Sequence, residues 1–178
     1  MPGDESYPPE KLVSYDPVWA ERFAVLRHDL TRALGAEWRV EHVGSTSVPG
    51  LVAKPVIDLA ISVPAGRDLP AAVDAFLDLG WVGPAETGDH EAFFLYERGV
   101  RSAIAHVFTA AQWPCAHVRL FAAWLRSHAE DRENYAAVKR GLVAHGTWGR
   151  DYTEAKRAFV QDVVNRARSA RGLGPVTL

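Results

Sequence analysis

The stretch VEHVGSTSVPGLVAKPVIDLAISV, residues 40–63, constrains the fold more than any other part of this chain. A β-branched run enters a loop of small residues, passes a lysine and leaves as a strand carrying one aspartate. Side chains alternate across a strand, so Ile57, Leu59, Ile61 and Val63 share one face while Val56, Asp58, Ala60 and Ser62 share the other. Asp58 is thereby placed among small residues beside Gly44, Ser45, Thr46 and Ser47. Such a loop brings backbone N–H groups and hydroxyls close to an anion, because glycine has no Cβ to hold the ligand away. Lys54, at the end of the loop, offers a point charge to a phosphate, and the Asp58 carboxylate can hold a metal ion against the same anion. Loop, lysine and carboxylate together point to a nucleotide site.

The remaining segments read as elements that surround this stretch. Residues 1–12, with three prolines, read as a flexible lead-in. Asp16-Pro17 reads as an N-cap and first helical position, after which Trp19, Phe23, Leu26, Leu30 and Leu34 recur at helical spacing up to Gly35. Residues 38–43 and 56–63 read as strands, and residues 68–79 as a helix burying Leu69, Val73, Phe76 and Leu77, with Gly80 at its end. Residues 93–97 and 100–108 pair as antiparallel strands across an Arg98-Gly99 turn. Three helical stripes follow: Trp113, Leu120, Phe121, Trp124 and Leu125; then Tyr135, Val138 and Leu142; then Tyr152, Ala155, Phe159, Val163 and Ala167, with residues 146–149 breaking the last two apart. This is an α+β arrangement, a mixed β-sheet with packed helices and a helical C-terminal part. It reads as a single domain over residues 1–178, with a sheet-containing core at 13–111 and the helical part at 112–178.

Composition removes several classes of function. The single cysteine, Cys115, forms no internal disulfide, which favours a reducing compartment; with no Cys-His spacing beside it, it reads as a small buried thiol. No apolar run approaches the length of a membrane span, and the first ten residues lack the basic and apolar regions of a signal peptide, so a cytoplasmic location and no membrane partner are expected. Aromatic residues fall on core stripes and the net charge is −2, so no nucleic-acid surface is evident; the expected partner is a small-molecule or nucleotide substrate. No structural zinc pattern stands out. Charge is uneven: residues 1–111 carry 9 Lys/Arg and 16 Asp/Glu, residues 112–178 carry 11 and 6. The two parts either dock on one another or turn a basic wall toward a phosphate.

VEHVGSTSVPGLVAKPVIDL closely resembles the signature of the GrpB family. SYDPVWAERFAVLRHDL, FAAWLRSH, NYAAVK and YTEAKRAFV resemble the family's corresponding stretches in the same order, so the resemblance covers most of the chain. It implies the fold of compact relatives of the DNA polymerase β-type nucleotidyltransferases. In that fold a Gly-Ser loop holds nucleotide phosphates, two carboxylates spaced by one residue on the next strand bind Mg2+, and a later strand supplies a third. The resemblance makes Asp58 the metal ligand and, with His42 and His106, a candidate catalytic residue. It also places Arg126, Lys139, Tyr152 and Lys156 in segments that look like the family's, where a cleft would set Lys139 and Lys156 opposite Asp58.

Each assignment has a plainer alternative. Asp58 can cap a loop, His42 a strand end, and His106 can be a hydrogen-bonded core residue; the loop hydroxyls are common in tight turns. The helical cations can belong to a solvated face.

Departures from the family pattern matter as much. Ala60 stands where a second carboxylate belongs, His106 where the third does, and Ala122 and Ala123 where the family commonly carries an arginine and an aspartate. Expected basic residues near Phe93-Phe94 are replaced by Glu91, Ala92 and Glu97. Three functions follow: nucleotidyl or phosphoryl transfer from a nucleoside triphosphate (NTP) to a small acceptor; metabolite tailoring (cyclase, ligase or dehydratase) by acid–base chemistry; and nucleotide binding without catalysis.

Overall fold

Asp16 sets the start of the first helix, α1 (Val18–Leu34). Its Oδ1 accepts the Val18 N–H at 3.0 Å, so the aspartate caps the helix from one position further back than expected, with Pro17 at the N-cap. The structure is a computed structural model that describes Pro8 and residues 11–178; the expected lead-in falls almost wholly outside them.

Five strands follow: β1 (Arg39–Val43), β2 (Ile57–Ser62), β3 (Val82–Thr87), β4 (His90–Glu97) and β5 (Val100–Phe108). They form one sheet in the order β1-β2-β5-β4-β3, in which only β2 and β5 pair in parallel. The crossover between that pair carries α2 (Val73–Asp78). β4 and β5 meet across Arg98-Gly99 as expected, with φ of 52° and 80°, the positive pair that a twisted hairpin favours.

Ile57, Leu59, Ile61, Phe93, Ala103, Ala105 and Val107 form the sheet's contribution to the main core, which Trp19, Leu30, Leu34 and Phe76 complete from α1 and α2. Phe76 stacks on Phe93 with ring centroids 4.1 Å apart. The opposite face carries Asp58, Ala60, His106 and Phe108 by strand alternation. Helices α3 (His117–Ser127), α4 (Ala129–Ala144) and α5 (Gly149–Ser169) cover that side. Their own core takes in Val48 and Leu51 from the loop after β1, so that loop is clamped between sheet and helices. Arg119 of α3 ties the layers together: it pairs with both Glu41 oxygens at 2.8 Å, and its Nη1 donates to the Trp113 carbonyl. The acidic and basic parts of the chain do dock here.

The α+β arrangement is as expected, but five local expectations need correction. Residues 68–79 are not one helix: a 3-10 turn, Pro70–Ala72, precedes the short α2, and Leu77 is 46% exposed. Asp68 Oδ1 caps the turn by accepting the Ala71 N–H at 3.1 Å, and Pro70 stands at its start, where a missing N–H costs nothing. β3 is a strand beyond the two named between residues 81 and 108, a stretch that reads as strand-like; VGPAET holds glycine and proline and survives as an edge strand, where a missing donor costs little. Trp113 lies in a 3-10 turn before α3, and Ala155 of the third stripe is exposed. Cys115, in that same turn, is half-buried rather than buried. Among the described residues no helix is long and apolar enough to cross a membrane.

Candidate functional site

The register of β1 on β2 pairs Val43 with Asp58, which brings Gly44 alongside the aspartate side chain. A Cβ at Gly44 would lie 2.1 Å from Asp58 Oδ2, and its φ of 67° disfavours any other residue. Only glycine lets the loop pass this close to the carboxylate. Gly44→Ala is therefore expected to cost at least about 2 kcal/mol, or roughly 4–8 °C in Tm, and to displace Asp58. Gly50→Ala provides the contrast: its φ is 79° but no atom lies within 4 Å of the added methyl. The two melting curves check this, and equal losses would mean that backbone strain alone is at work.

Hydrogen bonds then hold the loop from behind. Ser47 Oγ donates to the Gly44 carbonyl at 2.7 Å, and Thr46 Oγ1 donates to the Val56 carbonyl at 3.3 Å. His42 Nε2 lies 3.0 Å from that same Thr46 oxygen, and its ring stacks on Phe23 at 4.7 Å. Burial holds the His42 pKa down to about 4 against the pull of Asp58, so the ring is neutral and donates to the threonine. Arg126 caps the loop from α3, giving hydrogen bonds to the His42 and Ser47 carbonyls at 2.8 and 3.1 Å. His42, Thr46, Ser47 and Arg126 thus brace the loop and stand outside the pocket it borders.

The pocket encloses about 270 Å³ between the sheet and the three C-terminal helices. Gly44, Ser45, Lys54, Asp58, His106, Lys139, Tyr152 and Lys156 line it, all candidates from the sequence. Lys139 reaches in from α4 with 1% of its surface exposed, donating to Ser45 Oγ at 3.0 Å and to the Val52 carbonyl. The ammonium groups rest on aromatic faces: Lys139 4.7 Å from the Tyr135 centroid, Lys156 4.2 Å from Tyr152, and Lys54 5.3 Å from both Tyr152 and Trp148.

Burial lowers the lysine pKa values most: Lys139 to about 6, Lys156 to about 7 and Lys54 to about 8, with Asp58 opposing the shift in each. Mutual repulsion deepens it for Lys139 and Lys156. Burial likewise raises the phenols of Tyr135 and Tyr152. A pocket with three desolvated lysines and one carboxylate is short of negative charge.

His106 sits on β5 in register with Ala60, its Nε2 3.7 Å from Asp58 Oδ1. Ala60 is fully buried in a cluster with Val43, Phe108 and Ala122, so α3 occupies the space that a second carboxylate would need. The residues present supply one carboxylate and one imidazole. They do not make a two-metal site, though Asp58 can share a single Mg2+ with ligand phosphates.

Tyr135, Thr153, Arg101 and His117 also line the pocket, and sequence reasoning missed them. Arg101 reaches it because the pairing of β4 and β5 shifts between Leu95 and Tyr96; that bulge brings Arg101 opposite Tyr96 and sets its guanidinium 4.7 Å from the Phe94 ring. Nothing in the local sequence announces the bulge. His117 begins α3, and only the packing of α3 on the sheet gives it a place in the site.

A family model described as GrpB protein matches residues 9–166. A UPF0157 protein of Halalkalibacterium halodurans is 34% identical over 161 residues, covering 89% of this chain and 82% of that one. Among solved structures, the conserved protein GrpB from Enterococcus faecalis superposes with a TM-score of 0.76 at 22% identity, over 90% of this chain and 99% of that chain. The Cid1 poly (U) polymerase with MgGTP bound gives a TM-score of 0.52 at 12% identity, over 72% of this chain and 44% of that chain. These structural likenesses concern the fold, which is nucleotidyltransferase-like.

Proposed function

We propose, on the premise that the chain belongs to the GrpB family and has a nucleotidyltransferase-like fold, that the Asp58 pocket takes the phosphates of a nucleoside triphosphate and that the protein transfers a nucleotidyl or phosphoryl group to a small acceptor. The observation that carries the reading is the convergence of Lys54, Lys139 and Lys156 on the Gly44–Ser45 corner beside Asp58. Ser45 Oγ and the loop's backbone N–H groups meet the phosphate oxygens, while the lysines neutralise them as point charges. Transfer of such a group is mostly positioning and charge stabilisation, which this pocket is equipped to supply. A Mg2+ ion, as in the Cid1 complex with MgGTP, would have Asp58 as its protein carboxylate and would neutralise charge on the bridging phosphates. The Asp58 carboxylate, with the His106 imidazole beside it, would accept the acceptor's proton.

One observation favours a second reading. His106 Nδ1 lies 2.8 Å from His90 Nε2, so Asp58, His106 and His90 form a line suited to proton movement in a tailoring reaction without metal.

A thermal-shift panel of nucleoside triphosphates, with and without Mg2+, tests the first reading on wild type and Asp58→Ala. A ligand at about a hundred times its Kd stabilises the native state by roughly 2.7 kcal/mol, a readable change in Tm. Stabilisation by a triphosphate, weakened in Asp58→Ala when Mg2+ is present, is the expected result. Silence toward every nucleotide sinks it in favour of metabolite tailoring, and binding without turnover of any acceptor identifies a nucleotide-binding module.

A further inference from the structure

Behind His106, at the mouth between β4 and α3, three further side chains meet. Ligand atoms of Asp89, His90 and His117 all lie within 4.8 Å of one another. Asp89 Oδ1 is 3.0 Å from His90 Nδ1 and 3.9 Å from His117 Nδ1. Tetrahedral ligands at roughly 2.0 Å from a zinc ion stand about 3.3 Å apart, so this triangle is close to one coordination face. Asp89 is fixed in place by Gln112, whose Nε2 donates to the Asp89 carbonyl at 2.5 Å. His90 is 8% exposed, and its ring stacks on Phe108 at 4.5 Å.

We propose that Asp89, His90 and His117 hold a divalent transition metal ion of the zinc class, at a site that adjoins the Asp58 pocket through His117, which lines both, and through His106. One observation beyond proximity carries this. His117 Nδ1 is buried without a hydrogen-bond partner and faces the other two ligands, the state of an imidazole nitrogen waiting for a cation.

Thr87 Oγ1 donates to the His90 carbonyl at 3.1 Å and lies 3.0 Å from His90 Nε2, and His106 Nδ1 lies 2.8 Å from the same nitrogen, which leaves Nδ1 as the His90 nitrogen turned to Asp89. Two imidazoles and one carboxylate suit zinc rather than magnesium and leave a fourth position for water or a ligand. Metal on His90 Nδ1 also fixes the proton on Nε2, which sets His106 as acceptor at Nδ1 and donor toward Asp58.

Untagged protein loaded with zinc chloride and passed through gel filtration should retain one zinc per chain by elemental analysis. Cobalt(II) in its place should give the visible absorption of a four-coordinate site. Asp58→Ala should retain the metal, which separates this site from any Mg2+ in the nucleotide pocket. His117→Gln and Asp89→Asn, shown to be folded by circular dichroism, should each lose more than about tenfold in zinc affinity. Wild type without stoichiometric zinc overturns the proposal, as does equal affinity in His117→Gln, or a loss in Asp58→Ala as large as in the ligand variants.

Discussion

Ala60→Asp should lower Tm by roughly 6–20 °C and leave the protein no better at holding magnesium. The substitution restores the pair of carboxylates, spaced by one residue, that the strand pattern lacks, so it looks like a repair. The packing makes it the opposite. Ala60 is fully buried against Val43, Phe108 and Ala122, with Glu41 in register on one side and His106 on the other. A carboxylate there is desolvated and overpacked, and an uncompensated buried charge costs about 3–5 kcal/mol, at roughly 2–4 °C per kcal/mol for a chain of this length. The sign with pH follows. Burial raises the pKa of the new carboxyl in the folded state, so between its unfolded and folded values the folded chain binds the extra proton and stability falls as pH rises. The deficit in Tm relative to wild type should thus grow from about pH 4 upward. Ala60→Asn isolates the cost of volume, since it carries no charge to titrate. A variant that melts like wild type, and gains Asp58-dependent stabilisation from Mg2+, would mean that the second metal position is merely vacated and α3 does not fill it.

Much of the site is legible in residues 40–63, because a strand's two-residue period and a glycine's lack of Cβ are local properties. Asp58 on the small-residue face, the Gly44 approach and Lys54 all follow from them. Lys139, Tyr152 and Lys156 came from resemblance, not from period: the third stripe reads as core, and Lys156 breaks it only in a folded chain where α5 passes the loop. His42 and Arg126 were legible as important but not in position, since a side chain behind a loop and one inside it look alike in sequence. Arg101 depended on a bulge, and the Asp89–His90–His117 cluster on a turn after an edge strand meeting the start of α3. Both are consequences of tertiary register, which no window of sequence contains.

Lys156→Met should raise the Tm of the ligand-free protein at pH 7 while weakening tripolyphosphate and ATP binding by at least about tenfold. The ligand-free fold keeps Lys139, Lys156 and Lys54 with pKa values lowered to about 6, 7 and 8, chiefly by burial. In the unfolded chain each lies near about 10.4, so over that interval the unfolded state binds more protons and stability rises with pH. At pH 7 the lysines are therefore a burden on the empty fold. Methionine at 156 removes one such burden and keeps apolar contact with Tyr152, over which the ammonium now sits at 4.2 Å. Lys139 is the less clean choice, because its ammonium serves Ser45 Oγ and the Val52 carbonyl, and removal strands a buried acceptor. A bound phosphate reverses the balance: it raises the lysine pKa values again, so binding takes up protons. Affinity should then fall as pH rises from about 7.5 to 9.5, above the phosphate's own ionisation, by up to about tenfold per pH unit for each proton taken up. Calorimetry in two buffers of different ionisation heat counts those protons, and Lys156→Met should lower the count by one. If the variant instead melts lower than wild type with unchanged affinity and proton uptake, Lys156 supports the helix and takes no part in holding the anion.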